Sequence, residues 1–204
     1  MAAQSTSDRI HTIAEAGLCI ALFAVLQYLN IRLPINIAGG TISLSMIPIV
    51  LFALLYGPGW GMVVGALCGL IDLMLEPFIV NVVQMFLDYP LAFAAVGLAG
   101  IVAPLIRQAL AQGKKVPAAA FALIATLLGA SFRFIPAFIS GVIFWGSNAP
   151  KGQSIYLYSV VYNLSYLAPA GFICGAVLAI VAPIVLPPLS RRHKISSNVE
   201  ATHD

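Results

Sequence analysis

The chain has 204 residues, of which 61% are hydrophobic and only 8% charged, and its formal net charge is +3. A soluble domain carries about 25% charged residues, so this composition excludes a soluble globular protein and places the chain in a bilayer. The length suits one compact membrane domain and leaves no room for a separate soluble ATPase or hydrolase domain.

The first eleven residues are polar, and the apolar run after them lacks a small-x-small cleavage site, which predicts a retained first helix rather than a signal peptide. A bilayer crossing takes about 20 apolar residues. Six candidates follow in order: 11–30, 41–57, 59–76, 79–106, 116–145 and 155–186. The first holds Glu15 near one end and a small-residue pair, Gly17 and Ala21, one turn apart. Residues 31–40 form an outer loop able to act as a flap. The turn GPGWG joins the second and third runs. In the third, Gly57, Gly61, Gly65 and Gly69 recur every four residues, as Gly171, Gly175 and Ala179 do in the sixth. Such stripes let helix backbones approach closely in lipid, most often within one chain. The fourth run exceeds the bilayer thickness and is expected to tilt or to begin outside it. Residues 146–154, GSNAPKGQS, make a second outer loop. The expected fold is all-α: one six-helix membrane domain over 1–186, with a disordered cytoplasmic tail over 187–204.

Lysine and arginine favour cytoplasmic loops. With six crossings both termini share a side. That side collects Arg9, Arg107, Lys114, Lys115, Arg191, Arg192 and Lys194, against Arg32 and Lys151 on the other. Both termini are therefore expected in the cytoplasm. The positive net charge follows from this bias and needs no nucleic-acid partner.

Charged groups within the membrane are costly and usually mark function. Asp72, Glu76, Asp88 and Arg133 are the candidates. Asn81, Gln84 and Asp88 fall at i, i+3, i+7 and share a helical face, with Tyr89 the next residue. Arg133, Ala137, Gly141 and Trp145 make a stripe in the fifth run. Tyr158, Tyr162 and Tyr166 make one in the sixth, with Asn163 beside it. Together they suit a pocket for a small, flat, cationic or amine-bearing ligand, through stacking and cation–π attraction and a charge-assisted hydrogen bond. Competing readings are an interfacial belt for Trp145, a structural ion pair for Asp88 and Arg133, and headgroup solvation for Asp72 and Glu76. His11, His193 and His203 lie at the termini, which excludes a histidine-based active site in the membrane. Cys19, Cys68 and Cys174 lie in apolar runs without C-x-x-C spacing, so neither a disulfide framework nor a zinc site is indicated. No nucleotide, hydrolase or metalloprotease motif is present, so no enzyme activity and no cofactor are expected.

The blocks GVIFWGSNAPKG (141–152), YSVVYN (158–163), FLDYPLAFAAVGLAG (86–100) and GGTISLSMIPI (39–49) resemble the thiamine-specific substrate-binding subunit of energy-coupling-factor transporters, over about residues 10 to 185. The resemblance implies a six-helix bundle in a bacterial cell membrane with a vitamin site near the outer surface. It implies that Asp88 contacts thiamine, that Tyr89, Trp145, Tyr158 and Asn163 are further site positions, and that Gly141 lines the pocket. Phe78 falls at an aromatic position and Arg133 at a basic one. Arg133 is expected to hold Asp88 while the site is empty. Gly17 and Ala21 match a motif that docks on a transmembrane coupling subunit, which in turn binds two cytoplasmic ATPases. The sequence departs from the family pattern at Ala137, where a histidine is often found, at Cys68, where an aromatic is expected, and in the first outer loop, which lacks a tryptophan. A related pyrimidine precursor therefore stays open as the ligand. From the residues alone, a self-sufficient proton-coupled carrier with Asp72 and Asp88 as relay also stays open.

Overall fold

The computed structural model describes residues 6–29 and 42–200, with side chains placed over 9–29 and 42–187. The first outer loop, 31–40, lies outside the described residues. Six long or apolar helices follow one another: α1 (Thr6–Tyr28), α2 (Met46–Tyr56), α3 (Pro58–Leu75), α4 (Val82–Ala111), α5 (Lys115–Phe144) and α6 (Ile155–Glu200). Five are long and apolar enough to cross a membrane; α2 is shorter. Its 11 residues span about 16 Å at 1.5 Å per residue, and it starts later than the apolar run at 41–57 predicts. Just before it, Ser43 Oγ accepts a hydrogen bond from the backbone N–H of Ser45 at 3.1 Å. That local bond offers the backbone a turn in place of a helix. Gly57, at φ +89°, ends α2, and Pro58 opens α3 at a position where its missing N–H costs nothing.

Lipid is as apolar as a leucine side chain, so close packing rather than water exclusion holds these helices together. The glycine stripe of α3 serves that end. A Cβ on Gly65 would run into the carbonyl of Phe93, one on Gly69 into that of Tyr89, and one on Gly61 would come within 2.7 Å of the carbonyl of Gly97. The stripe thus seats α3 on α4. In α6, Gly175 does the same against Leu123 of α5. At the centre, Phe23 of α1 meets Phe93 of α4 edge-on at 5.1 Å, and Arg133 of α5 lies over the Phe93 ring, 4.0 Å from its centroid. Through these rings α1, α4 and α5 share one core.

One expectation changes. α4 is not one regular helix: it is π-helical over Leu87–Leu91 and 3-10 over Gly97–Val102. Pro90 lies inside the π segment; it has no N–H to give and its ring crowds the carbonyl one turn back, so the ordinary α ladder cannot continue through it. Helix α6 runs on past Pro187 to Glu200. No glycine or proline interrupts the chain after Pro188, so nothing breaks the helix there.

Candidate functional site

A cavity of about 690 Å³ opens between the helices at the end of the bundle where α3 runs into α4 and α5 into α6. All eight pocket residues implied by the family resemblance line it: Phe78, Asp88, Tyr89, Arg133, Gly141, Trp145, Tyr158 and Asn163. So do Asp72, Glu76, Gln84, Tyr162 and Tyr166. Gly17 and Ala21 lie elsewhere, exposed on α1.

The roof is a loop, residues 76–81, pinned by two side chains of α4. The hydroxyl of Tyr89 accepts from the N–H of Phe78 and donates to the carbonyl of Glu76, both at 2.9 Å. Gln84 accepts from the N–H of Val80 at 3.1 Å and donates to the carbonyl of Phe78 at 3.1 Å. These bonds carry Phe78 onto Trp145, with the rings stacked 5.4 Å apart and 29° from parallel. Asn81 does not join the cavity. It is the N-cap of α4, its side chain accepting from the N–H of Val83 at 2.8 Å. A helical wheel drawn from residue 81 places it on the Asp88 face, but the helix proper begins one residue later.

The acidic wall follows from the π turn. Asp88 sits within it, and Gln84 Nε2 donates to Asp88 Oδ2 at 2.7 Å. The expected contact between Asp88 and Arg133 does not form: among the described residues no salt bridge joins them, and the guanidinium rests on the ring of Phe93 instead. A flat, weakly hydrated guanidinium stacks readily on an aromatic face, and Gln84 already satisfies one Asp88 oxygen. Arg133 therefore contributes field rather than a hydrogen bond, acting on both Asp72 and Asp88.

The aromatic wall is built on α6. Tyr158 and Tyr162 stack at 6.1 Å and 20°, and Tyr162 meets Tyr166 edge-on at 5.8 Å. Asn163 is only 2% exposed. Its Nδ2 donates to the carbonyls of Ser159 at 2.9 Å and Ala137 at 3.3 Å, and its Oδ1 accepts from the Tyr166 hydroxyl at 2.7 Å. Ser159 Oγ donates to the carbonyl of Phe138 at 2.9 Å. This network fastens α6 to α5, and only a glycine at 141 leaves room for it: a Cβ there would collide with Ser159 Oγ and come within 3.1 Å of Asn163 Nδ2.

Sequence reasoning missed Gln27 of α1 and Ser43, which line the cavity from the side of α1 and α3 and are joined by a 3.0 Å hydrogen bond. Each is one small polar residue at the edge of an apolar run, and only the tertiary structure brings them together. The available signal was the amide of Gln27 four residues after the core residue Phe23, on one face of α1.

A multi-pass helical membrane protein with a cavity walled by carboxylates and stacked aromatics has the build of a membrane carrier for a small organic solute. Comparison with known proteins gives the family. Residues 13–188 match the family described as thiamine transporter protein (Thia_YuaJ), and the chain belongs to it. It is 37% identical over 144 residues to the thiamine transporter ThiT of Bacillus subtilis, covering 70% of this chain and 75% of that one. It is 32% identical over 126 residues to ThiT of Lacticaseibacillus paracasei, covering 60% and 63%. A solved structure of ThiT from Listeria monocytogenes superposes with a TM-score of 0.77 at 26% identity, covering 85% of this chain and 93% of that one. The chain is thus a multi-pass bacterial membrane protein whose relatives are named as transporters.

Proposed function

We propose that this chain is the vitamin-binding membrane subunit of an ATP-driven importer and that its cargo is thiamine. Six crossings with both termini cytoplasmic place the cavity at the outer surface, an orientation supported by the lysine and arginine bias. Asp88 faces the thiazolium charge. Trp145, Phe78 and Tyr158 supply ring faces, Tyr89 holds the roof, and Gly141 and Asn163 set the width of the aromatic wall. Arg133 tunes the field. Gly17 and Ala21 dock on a transmembrane coupling subunit carrying two cytoplasmic ATPases, which supply the energy that this chain does not.

The observation that carries the reading is the convergence of those eight residues on one cavity of about 690 Å³, within the size range of small-molecule sites, in a chain whose relatives are named thiamine transporters. The test is fluorescence titration of the detergent-purified chain. It has two tryptophans. Thiamine should quench Trp145 and leave Trp60, at the opposite end of α3, unaffected. Thiamine should also be found by mass spectrometry in what co-purifies. A Trp145→Ala variant that binds as tightly as the parent would put the ligand elsewhere.

A second reading is favoured by Ala137, which lines the cavity where the family pattern often has histidine. It leaves less aromatic surface for a thiazolium, and the hydroxymethylpyrimidine precursor would need less. Tighter binding of that precursor than of thiamine in the same titration would select it. A proton-coupled carrier, with Asp72 and Asp88 both on the cavity wall, requires uptake by this chain alone that stops when the proton gradient is dissipated.

A further inference from the structure

Asp72 is a buried carboxylate of the cavity wall that takes no part in the roof loop or in the junction of α5 with α6. It lies on α3, three residues past Gly69, where α3 packs against the backbone of α4. It is 8% exposed, it lines the cavity, and its Oδ1 has no hydrogen-bond partner among the described residues. A buried carboxylate oxygen without a donor is costly.

Gln27 is the amide beside Asp72: its Oε1 accepts from the Ser43 hydroxyl at 3.0 Å, which leaves its N–H donors for the carboxylate, yet Oδ1 of Asp72 stays without a bond. Ser43 Oγ donates to Gln27 and accepts from the N–H of Ser45 at 3.1 Å. Arg133 is held over Phe93 at 4.0 Å. Asp88, by contrast, keeps a resident donor in Gln84 at 2.7 Å. The two buried carboxylates of the cavity, Asp72 and Asp88, stand on different helices, α3 and α4, so a single cationic centre beside Asp88 does not reach the unbonded oxygen of Asp72.

We propose that Asp72 is a second anchor, accepting a hydrogen bond from an amino group on the flat ligand while Asp88 faces its cationic ring. This assignment rests on the thiamine reading, in which the pyrimidine amino group is that donor. It makes Asp72 the residue that distinguishes amino-bearing ligands from those without one, and the Gln27–Ser43 pair the frame that holds its wall.

The test is a comparison of ratios. Thiamine and an analogue carrying hydrogen in place of the pyrimidine amino group are titrated into the parent, Asp72→Ala and Asp88→Asn. A hydrogen bond to a charged group corresponds to about tenfold to a hundredfold in affinity, so the parent should prefer thiamine by about that factor. In Asp72→Ala the preference should fall to within about threefold, through weaker thiamine binding with the analogue little changed. In Asp88→Asn both compounds should weaken and the preference should persist. Should the alanine variant fail to fold, Asp72→Asn is read by the same ratio, with detergent melting as the folding control. An undiminished preference in a folded Asp72 variant overturns this assignment and leaves the thiamine reading standing, whether both affinities fall together (a mere field charge) or neither does. A parent that binds neither compound overturns the thiamine reading and this assignment together.

Discussion

At the scale of single residues the cavity divides its polar groups into those that hold the protein and those left to meet a ligand. Tyr89, Gln84 and Asn163 are spent on the roof loop and on the junction of α5 with α6. Asp88 is half-buried with one oxygen on Gln84. Because Arg133 rests on Phe93 and not on Asp88, Asp88→Asn should not strand a buried cation. Thiamine affinity should fall about tenfold to a hundredfold, the range for a hydrogen bond to a charged group, with the detergent melting temperature nearly unchanged. Adding Arg133→Gln should not restore binding. A variant that melts early yet binds normally would make Asp88 a structural residue. The membership of this wall was legible because Gln84 and Asp88 are four residues apart on one helix, and so are Tyr158, Tyr162 and Tyr166. The partner of Asp88 was not: opposite charges on two helices predict attraction, whereas contact depends on whether a nearer ring or amide competes. Gln27, Ser43 and Asp72 meet only because three segments fold together, a relation that no local spacing encodes.

At the scale of elements the apolar runs read directly as helices, since both lipid and helix demand continuous stretches of that length. The edges and the irregularities did not. The start of α2 depends on one serine hydroxyl caught by a backbone N–H, and the π turn of α4 on how neighbouring helices accommodate Pro90. The small-residue stripe of α3 was legible as a packing face, and its partner emerges only in the structure. Gly65 and Gly59, six residues apart on α3, make a sharp contrast. A Cβ at Gly65 meets the backbone of Phe93 and Ala94, which cannot yield as a side-chain tip would; one at Gly59 meets nothing within 4 Å. Overpacking costs about 1–3 kcal/mol. Gly65→Ala should therefore lower the melting temperature measurably, and Gly59→Ala should leave it level or slightly raised. Equal melting of the two variants would mean that α3 and α4 are not in contact as described.

At the scale of the whole molecule the faces of α1 differ. Cys19, Phe23 and Gln27, four residues apart, point into the bundle, and all three are buried. Gly17 and Ala21 lie on an exposed face, and a Cβ at Gly17 would meet nothing within 4 Å. Gly61, Gly65 and Gly69 are pressed against another helix of the same chain, so their smallness is accounted for by internal packing. The smallness of Gly17 and Ala21 is not. In lipid a small-xxx-small pair lets a second backbone approach closely, which suits the coupling subunit of the proposed importer. Gly17→Trp or Ala21→Trp should therefore leave folding and thiamine affinity as in the parent, because neither residue touches the cavity or the core. The same variants should lose uptake when expressed with the coupling and ATPase subunits, and should fail to co-purify with them. Uptake at the parental level with tryptophan at both positions would show that the partner approaches from another side. Loss of thiamine affinity in the isolated variant would show instead that α1 moves with the cavity, through the bond of Gln27 to Ser43.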